Sequence, residues 1–177
     1  MIRILLLSLA GACAAGIGLG QAQALRTRAA LLLALRAVLS QMTDAMLLAS
    51  MPLPALLRGL GDGGHGARRA VGMAMVRAGE ILETSPDLRF QAAFLAAVGE
   101  QRAGPLRALR AGDLEALSPW LALIGEGGRD QQRRALEGAA AVAERLEREA
   151  NAQLPAQVRL CRTLGLAAGA ALVLLLW

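Results

Sequence analysis

Charge is absent from both ends of this chain, and that constrains its fold more than any motif does. Ile4–Gly20 is apolar or glycine apart from Ser8. Extending the run to Leu25 adds only Gln21 and Gln23, and gives about the 20 residues that cross a hydrocarbon core. Leu164–Trp177 is a second uncharged run, ending in LVLLLW. It reaches a spanning length if the helix enters lipid near Leu160 and Arg162 snorkels to the headgroups. Trp177 then suits the far interface. The expected plan is a transmembrane helix over residues 1–25, a helical domain over 26–159, and a second transmembrane helix over 160–177.

The first run has a rival reading. A short basic start, an apolar stretch and Ala22-Gln23-Ala24 resemble a cleavable secretory signal. Against this, the helical pattern continues through Ala24 into the polar region. Small residues recur four apart in both runs, at Gly16 and Gly20 and at Gly165 and Gly169. Such pairs let membrane helices approach closely, which makes these four the candidate packing residues. Flanking arginines set the orientation. Arg3 stands alone outside, whereas Arg26, Arg28, Arg36, Arg145, Arg148, Arg159 and Arg162 lie on the inner sides. The positive-inside rule puts the middle domain in the cytoplasm.

Between the ends the composition is helical. Ala and Leu supply the apolar content, aromatics are 2%, and Tyr is absent, so the side chains that favour sheets are scarce. Leu32, Leu35, Leu39, Met42, Met46 and Ala49 recur at steps of three and four and share one helix face. Arg28, Arg36 and Asp44 are expected to lie largely away from it. Pro52 and Pro54 interrupt this helix, and a short one follows to Leu60. Gly61–Gly66 reads as a flexible connector, because it lacks the Lys-Ser/Thr ending of a phosphate loop.

A third helix is expected over Ala67–Glu83, with Val71, Met75, Ala78 and Leu82 inward. Ser85-Pro86-Asp87 suggests a capped restart running to about Arg102 and burying Phe90, Phe94, Leu95 and Val98 in part. After Gly104-Pro105, Leu106, Leu109, Leu114, Leu117 and Leu121 form another stripe. A helix start is expected at Asp113, and Trp120 is expected to pack on the core. Gly125–Gly128 connects to a last long helix capped by Asp130. Leu136, Ala140, Ala143, Leu146, Ala150 and Leu154 line one face of it, and Pro155 bends or breaks it. The two long helices are expected to run antiparallel, with the shorter helices packed at the end distal to the membrane.

Chemistry is hard to place on such a chain. There is one histidine, His65, in a glycine loop beside Asp62, and no lysine or tyrosine. The acids alternate with arginines or sit at expected caps, so no general base or nucleophile pair converges. The expectation is a non-enzyme without cofactor or metal. Cys13 and Cys161 read as small apolar filler. The net charge of +5 is carried entirely by arginine. The adjacent pairs Arg68–Arg69 and Arg133–Arg134 have no flanking aromatic ring, which argues against nucleic acid. Independently of any family, the pattern also suits a membrane-anchored helical regulator or binding module.

Three patches carry a resemblance. Leu35-Arg36 through Met46, then Pro52-Leu53-Pro54-Ala55-Leu56, gives a leucine-patterned helix with a proline-leucine turn. Leu106-Arg107-Ala108-Leu109, Asp113-Leu114, Leu123-Ile124-Gly125 and Asp130-Gln131-Gln132 follow in order. Thr163-Leu164-Gly165 opens the apolar tail. In these, and in length and plan, the sequence resembles the stage III sporulation protein AB family of endospore-forming bacteria. It departs in having Asp44 where a glutamate is expected, a looser Gly128-Arg129-Asp130 turn, and an Ala/Arg-rich last helix. The resemblance implies an inner-membrane scaffold on the mother-cell side, in the channel complex between mother cell and forespore. It implies a cytoplasmic domain similar to those of type II secretion and type IV pilus platform proteins. Its implied partners are the stage III sporulation channel proteins, including the AA ATPase that it would couple to the channel, together with membrane lipid. A homo-oligomer is compatible with the same plan.

Overall fold

The computed structural model describes the backbone of residues 2–48, 52–61 and 64–176, and the side chains of 20–46, 52–61, 64–160, 163 and 167. The chain is all-helical, as its composition requires. The helices are α1 (Ile2–Leu48), α2 (Leu53–Arg58), α3 (Ala67–Thr84), α4 (Phe90–Glu100), α5 (Ala111–Leu121) and α6 (Arg129–Leu176), with a 3-10 turn at Pro105–Ala108. Two compact units form, one from Met1–Thr27 with Glu149–Trp177, the other from Arg28–Arg148.

The Arg28–Arg148 unit has one core. On α1, Leu31, Leu32, Leu35, Val38, Leu39 and Met42 are buried. The stripe is thus wider than the i, i+3, i+4 set alone, because α1 is packed on more than one side. Met46 is half-buried and Ala49 lies outside the described residues. Val71, Met75 and Ala78 of α3, Phe90, Phe94 and Val98 of α4, and Leu106, Leu109, Leu114, Leu117 and Leu121 complete the core. Leu95 is exposed and Leu82 half-buried. On α6 the buried residues are mainly small, Ala135, Ala139 and Ala143, flanked by Leu136 and Leu146. Alanine at these positions lets neighbouring helices come close without leaving voids.

Several expected helix starts move. Ser85 does not begin α4: Pro86–Leu88 is a turn closed by the Leu88 N–H donating to the Ser85 carbonyl at 3.0 Å, and the helix starts at Phe90. Apolar burial wins over the capping signal, since starting at Phe90 places Phe90, Phe94 and Val98 on the inner face. α5 begins at Ala111, with Arg110 as its N-cap, two residues before Asp113. α6 begins at Arg129, so Asp130 is in the first turn, where a carboxylate favours the positive helix end, and does not cap it. The Gly128 carbonyl accepts from the Gln131 and Gln132 N–H groups instead. The glycine connector before α6 needs positive φ at Gly125 (91°) and Gly127 (75°), which a side chain would strain.

Gly72 marks the tightest approach in the unit. A Cβ there would lie 2.6 Å from the Leu60 carbonyl oxygen, so the backbone leaving α2 sits directly on α3. Gly72→Ala gains helix propensity but forces two backbones apart. A net loss of about 1–2 kcal/mol is expected, against a small gain for Gly99→Ala, where an added Cβ meets nothing within 4 Å. Thermal unfolding of the two variants checks the contrast.

In the other unit, α6 continues through Pro155 without a break. Ala22, Ala150 and Val158 are buried. Thr163 donates its hydroxyl to the Arg159 carbonyl at 3.1 Å, a local bond within the helix. The surroundings of Cys13, Cys161, Arg162 and Trp177 lie outside the described residues. Among the described residues, Gly20–Met46 is long and apolar enough to cross a membrane by length and composition. Much of that stretch is buried inside the protein, because its leucines build the core just described.

Candidate functional site

Arg28 is not on the solvent face. It is buried with Asp113, 85 residues away in sequence. The guanidinium is bidentate: Nε donates to Oδ2 at 2.9 Å and an NH2 group to Oδ1 at 2.6 Å. The Arg110 backbone N–H donates to the same Oδ2 at 2.9 Å, so one carboxylate both neutralises a buried cation and closes the first turn of α5. Burial pushes the Asp113 carboxyl up. The Arg28 hydrogen bonds, the Arg110 N–H and the nearby positive charge outweigh it and hold Asp113 below the usual carboxylate range. The sequence carried a signal for this. Arg28 lies four residues before Leu32 and seven before Leu35, so the apolar stripe extends back onto it.

The other charges sit at or near the surface, and several are paired. Arg36 bridges Glu144 and Glu147 on α6, each at 3.5 Å. Arg77 joins Glu80 at 2.8 Å and Glu100 at 2.7 Å. The Arg77 hydrogen bond holds the Glu100 carboxyl below its ordinary value, and its carboxylate partners raise the Arg77 guanidinium in turn. Arg58 pairs with Glu83, Arg148 with Glu144, and Arg89 with Glu126 at 3.1 Å. Such exposed pairs set the surface pattern more than stability.

Two grooves open on the Arg28–Arg148 unit. One, of about 340 Å³, lies among Leu53, Leu82, Leu88 and Ile124, and its rim carries Asp87 and the Arg89–Glu126 pair. The second, of about 500 Å³, lies between the start of α3 and the segment after α4. Ala70, Met73, Pro105 and Leu106 line it, with Arg69 and Gln101 at its edge. Met73 is 50% exposed there, unusual for a large apolar side chain. Trp120, expected to pack on the core, lies over Gly138 of α6, where an added Cβ would collide with the indole ring, and is 36% exposed.

The four glycines of the two apolar runs are not brought into any described contact. Gly20 is exposed, with nothing within 4 Å of an added Cβ. The surroundings of Gly16, Gly165 and Gly169 lie outside the described residues. His65 is exposed in its loop, and Asp62 lies outside the described residues. Among the described residues, no three metal-ligating side chains converge.

Searches of curated proteins and of solved structures give no match. The family model for stage III sporulation protein AB, in contrast, matches residues 3–177, nearly the whole chain. That span takes in the leucine-striped α1 from its second residue, the Pro52–Pro54 turn, the α5 start at the Arg28–Asp113 pair and the whole of α6, and the chain therefore belongs to the stage III sporulation protein AB family.

Proposed function

We propose that this protein is a non-enzymatic membrane scaffold of a sporulation channel complex, with its central helical unit in the cytoplasm coupling an ATPase to the channel. The observation that carries the reading is the family match over residues 3–177. The uncharged runs 4–25 and 164–177 support lipid anchoring at both ends, and the arginines on their inner sides support the orientation. An all-helical unit with one core and many charged side chains on its surface suits a role in holding other proteins.

Cross-linking in sporulating cells, followed by identification of the partners, tests the role. Recovery of an ATPase together with membrane channel subunits is the expected result, and recovery of neither would reject the coupling role. Orientation is tested with His65→Cys, whose loop thiol should react with a membrane-impermeant maleimide only after the cells are permeabilised. Labelling in intact cells would place the central unit on the opposite side.

A further inference from the structure

We infer that the groove between the start of α3 and the Pro105–Ala108 turn is a docking site for an acidic amphipathic segment of a partner protein. This deepens the scaffold reading by naming the chemistry of one partner. The floor is apolar: Ala70, Met73, Pro105 and Leu106, with Met73 half exposed to solvent. The rim is cationic. Arg69 lines the groove; Arg102, between the lining residues Gln101 and Ala103, and Arg107, next after Leu106, are exposed beside it in the chain without lining it.

These cations differ from the paired arginines of the same unit. Arg36, Arg58, Arg77, Arg89 and Arg148 each meet a carboxylate. Arg69, Arg102 and Arg107 meet none among the described residues. Arg68 donates to the Gln41 amide oxygen at 3.0 Å, so its charge too is unneutralised there. The comparison groove beside Leu88 has its rim charge cancelled by the Arg89–Glu126 pair. Uncompensated positive charge around an apolar floor is complementary to a helix or strand carrying one or two large apolar side chains flanked by Asp or Glu. Nucleic acid fits less well, because no aromatic ring lines the groove to stack a base.

The test uses the full-length chain purified in non-ionic detergent, and fluorescence anisotropy with two synthetic helical peptides. One has a Leu stripe flanked by Glu, the other the same stripe flanked by Lys. The Glu peptide should bind and weaken as salt rises, and the Lys peptide should not. The double variant Arg69→Glu/Arg107→Glu should weaken the Glu peptide about tenfold or more and gain affinity for the Lys peptide. Met73→Glu should weaken both pairings, and circular dichroism reports whether each variant keeps its helices.

The inference is overturned if the Glu peptide does not bind. It is also overturned if the peptide binds the charge-reversed chain equally, or if a single-stranded oligonucleotide binds more tightly at the same residues. Self-association abolished by Arg69→Glu would overturn it too, by assigning the groove to a second copy. None of these results bears on the cross-linking test of the scaffold role, so the two readings fail separately.

Discussion

Asp113→Ala is expected to destabilise the Arg28–Arg148 unit by about 3–5 kcal/mol, the cost of leaving a buried charge without its partner. The variant strands the Arg28 guanidinium, which is 8% exposed, and also removes the acceptor of the Arg110 N–H. For a domain whose whole stability is about 5–15 kcal/mol, that is a large share. The midpoint of thermal unfolding should fall by roughly 10–25 °C. Arg28→Met should cost a similar amount, by stranding the carboxylate.

The double variant Arg28→Met/Asp113→Leu discriminates the mechanism. It removes both charges and should recover most of the loss, short of about 1 kcal/mol for the unsatisfied Arg110 N–H. Additive losses in the double variant would mean that the two side chains act independently.

The same pair gives the unit an acid sensitivity. Asp113 titrates lower in the folded protein than in the unfolded chain. The unfolded state therefore takes up its proton first as pH falls. The contribution of Asp113 is fully present above about pH 4 and is lost as pH drops through its lower folded value. Below that value the parent loses stability that the Arg28→Met/Asp113→Leu variant keeps, so the difference between their unfolding midpoints should shift in favour of the variant as pH falls. Parallel curves down to the lowest pH would exclude a depressed Asp113.

Phe94→Ala should be comparably damaging, at about 3–5 kcal/mol, by emptying the centre of the core. The chain has two phenylalanines, Phe90 and Phe94, each 2% exposed, with ring centroids 6.1 Å apart and planes 28° from parallel. With so few aromatic rings, little else can fill the volume. Leu95→Ala on the same helix supplies the contrast. Leu95 is 36% exposed, and its truncation should change stability by about 0.5 kcal/mol or less. Chemical or thermal unfolding of the two variants reads the difference. Equal effects would mean that α4 presents a different face to the core.

The helices themselves were legible without coordinates. Apolar side chains at steps of three and four mark one face of a helix, and that relation involves only near neighbours in sequence. The stripes at Leu32–Met42, Val71–Ala78 and Leu106–Leu121 were therefore readable as core, and all are buried. Proline and glycine punctuation gave the connectors for the same local reason. The precise starts were less legible. At Ser85, Asp113 and Asp130 a good capping residue competes with the burial of neighbouring apolar groups, and the competition is decided by the rest of the core.

The amino-acid order alone determined an all-helical chain, its apolar ends and its family, because periodicity, charge and motif order are properties of the linear chain. Only tertiary packing decided that Arg28 meets Asp113 across 85 residues, that Trp120 covers Gly138, and that Met73 is left in an open groove beside unpaired arginines. Those outcomes depend on which helix faces which and at what height. That is set by the summed packing of the whole unit, and no residue's near neighbours encode it.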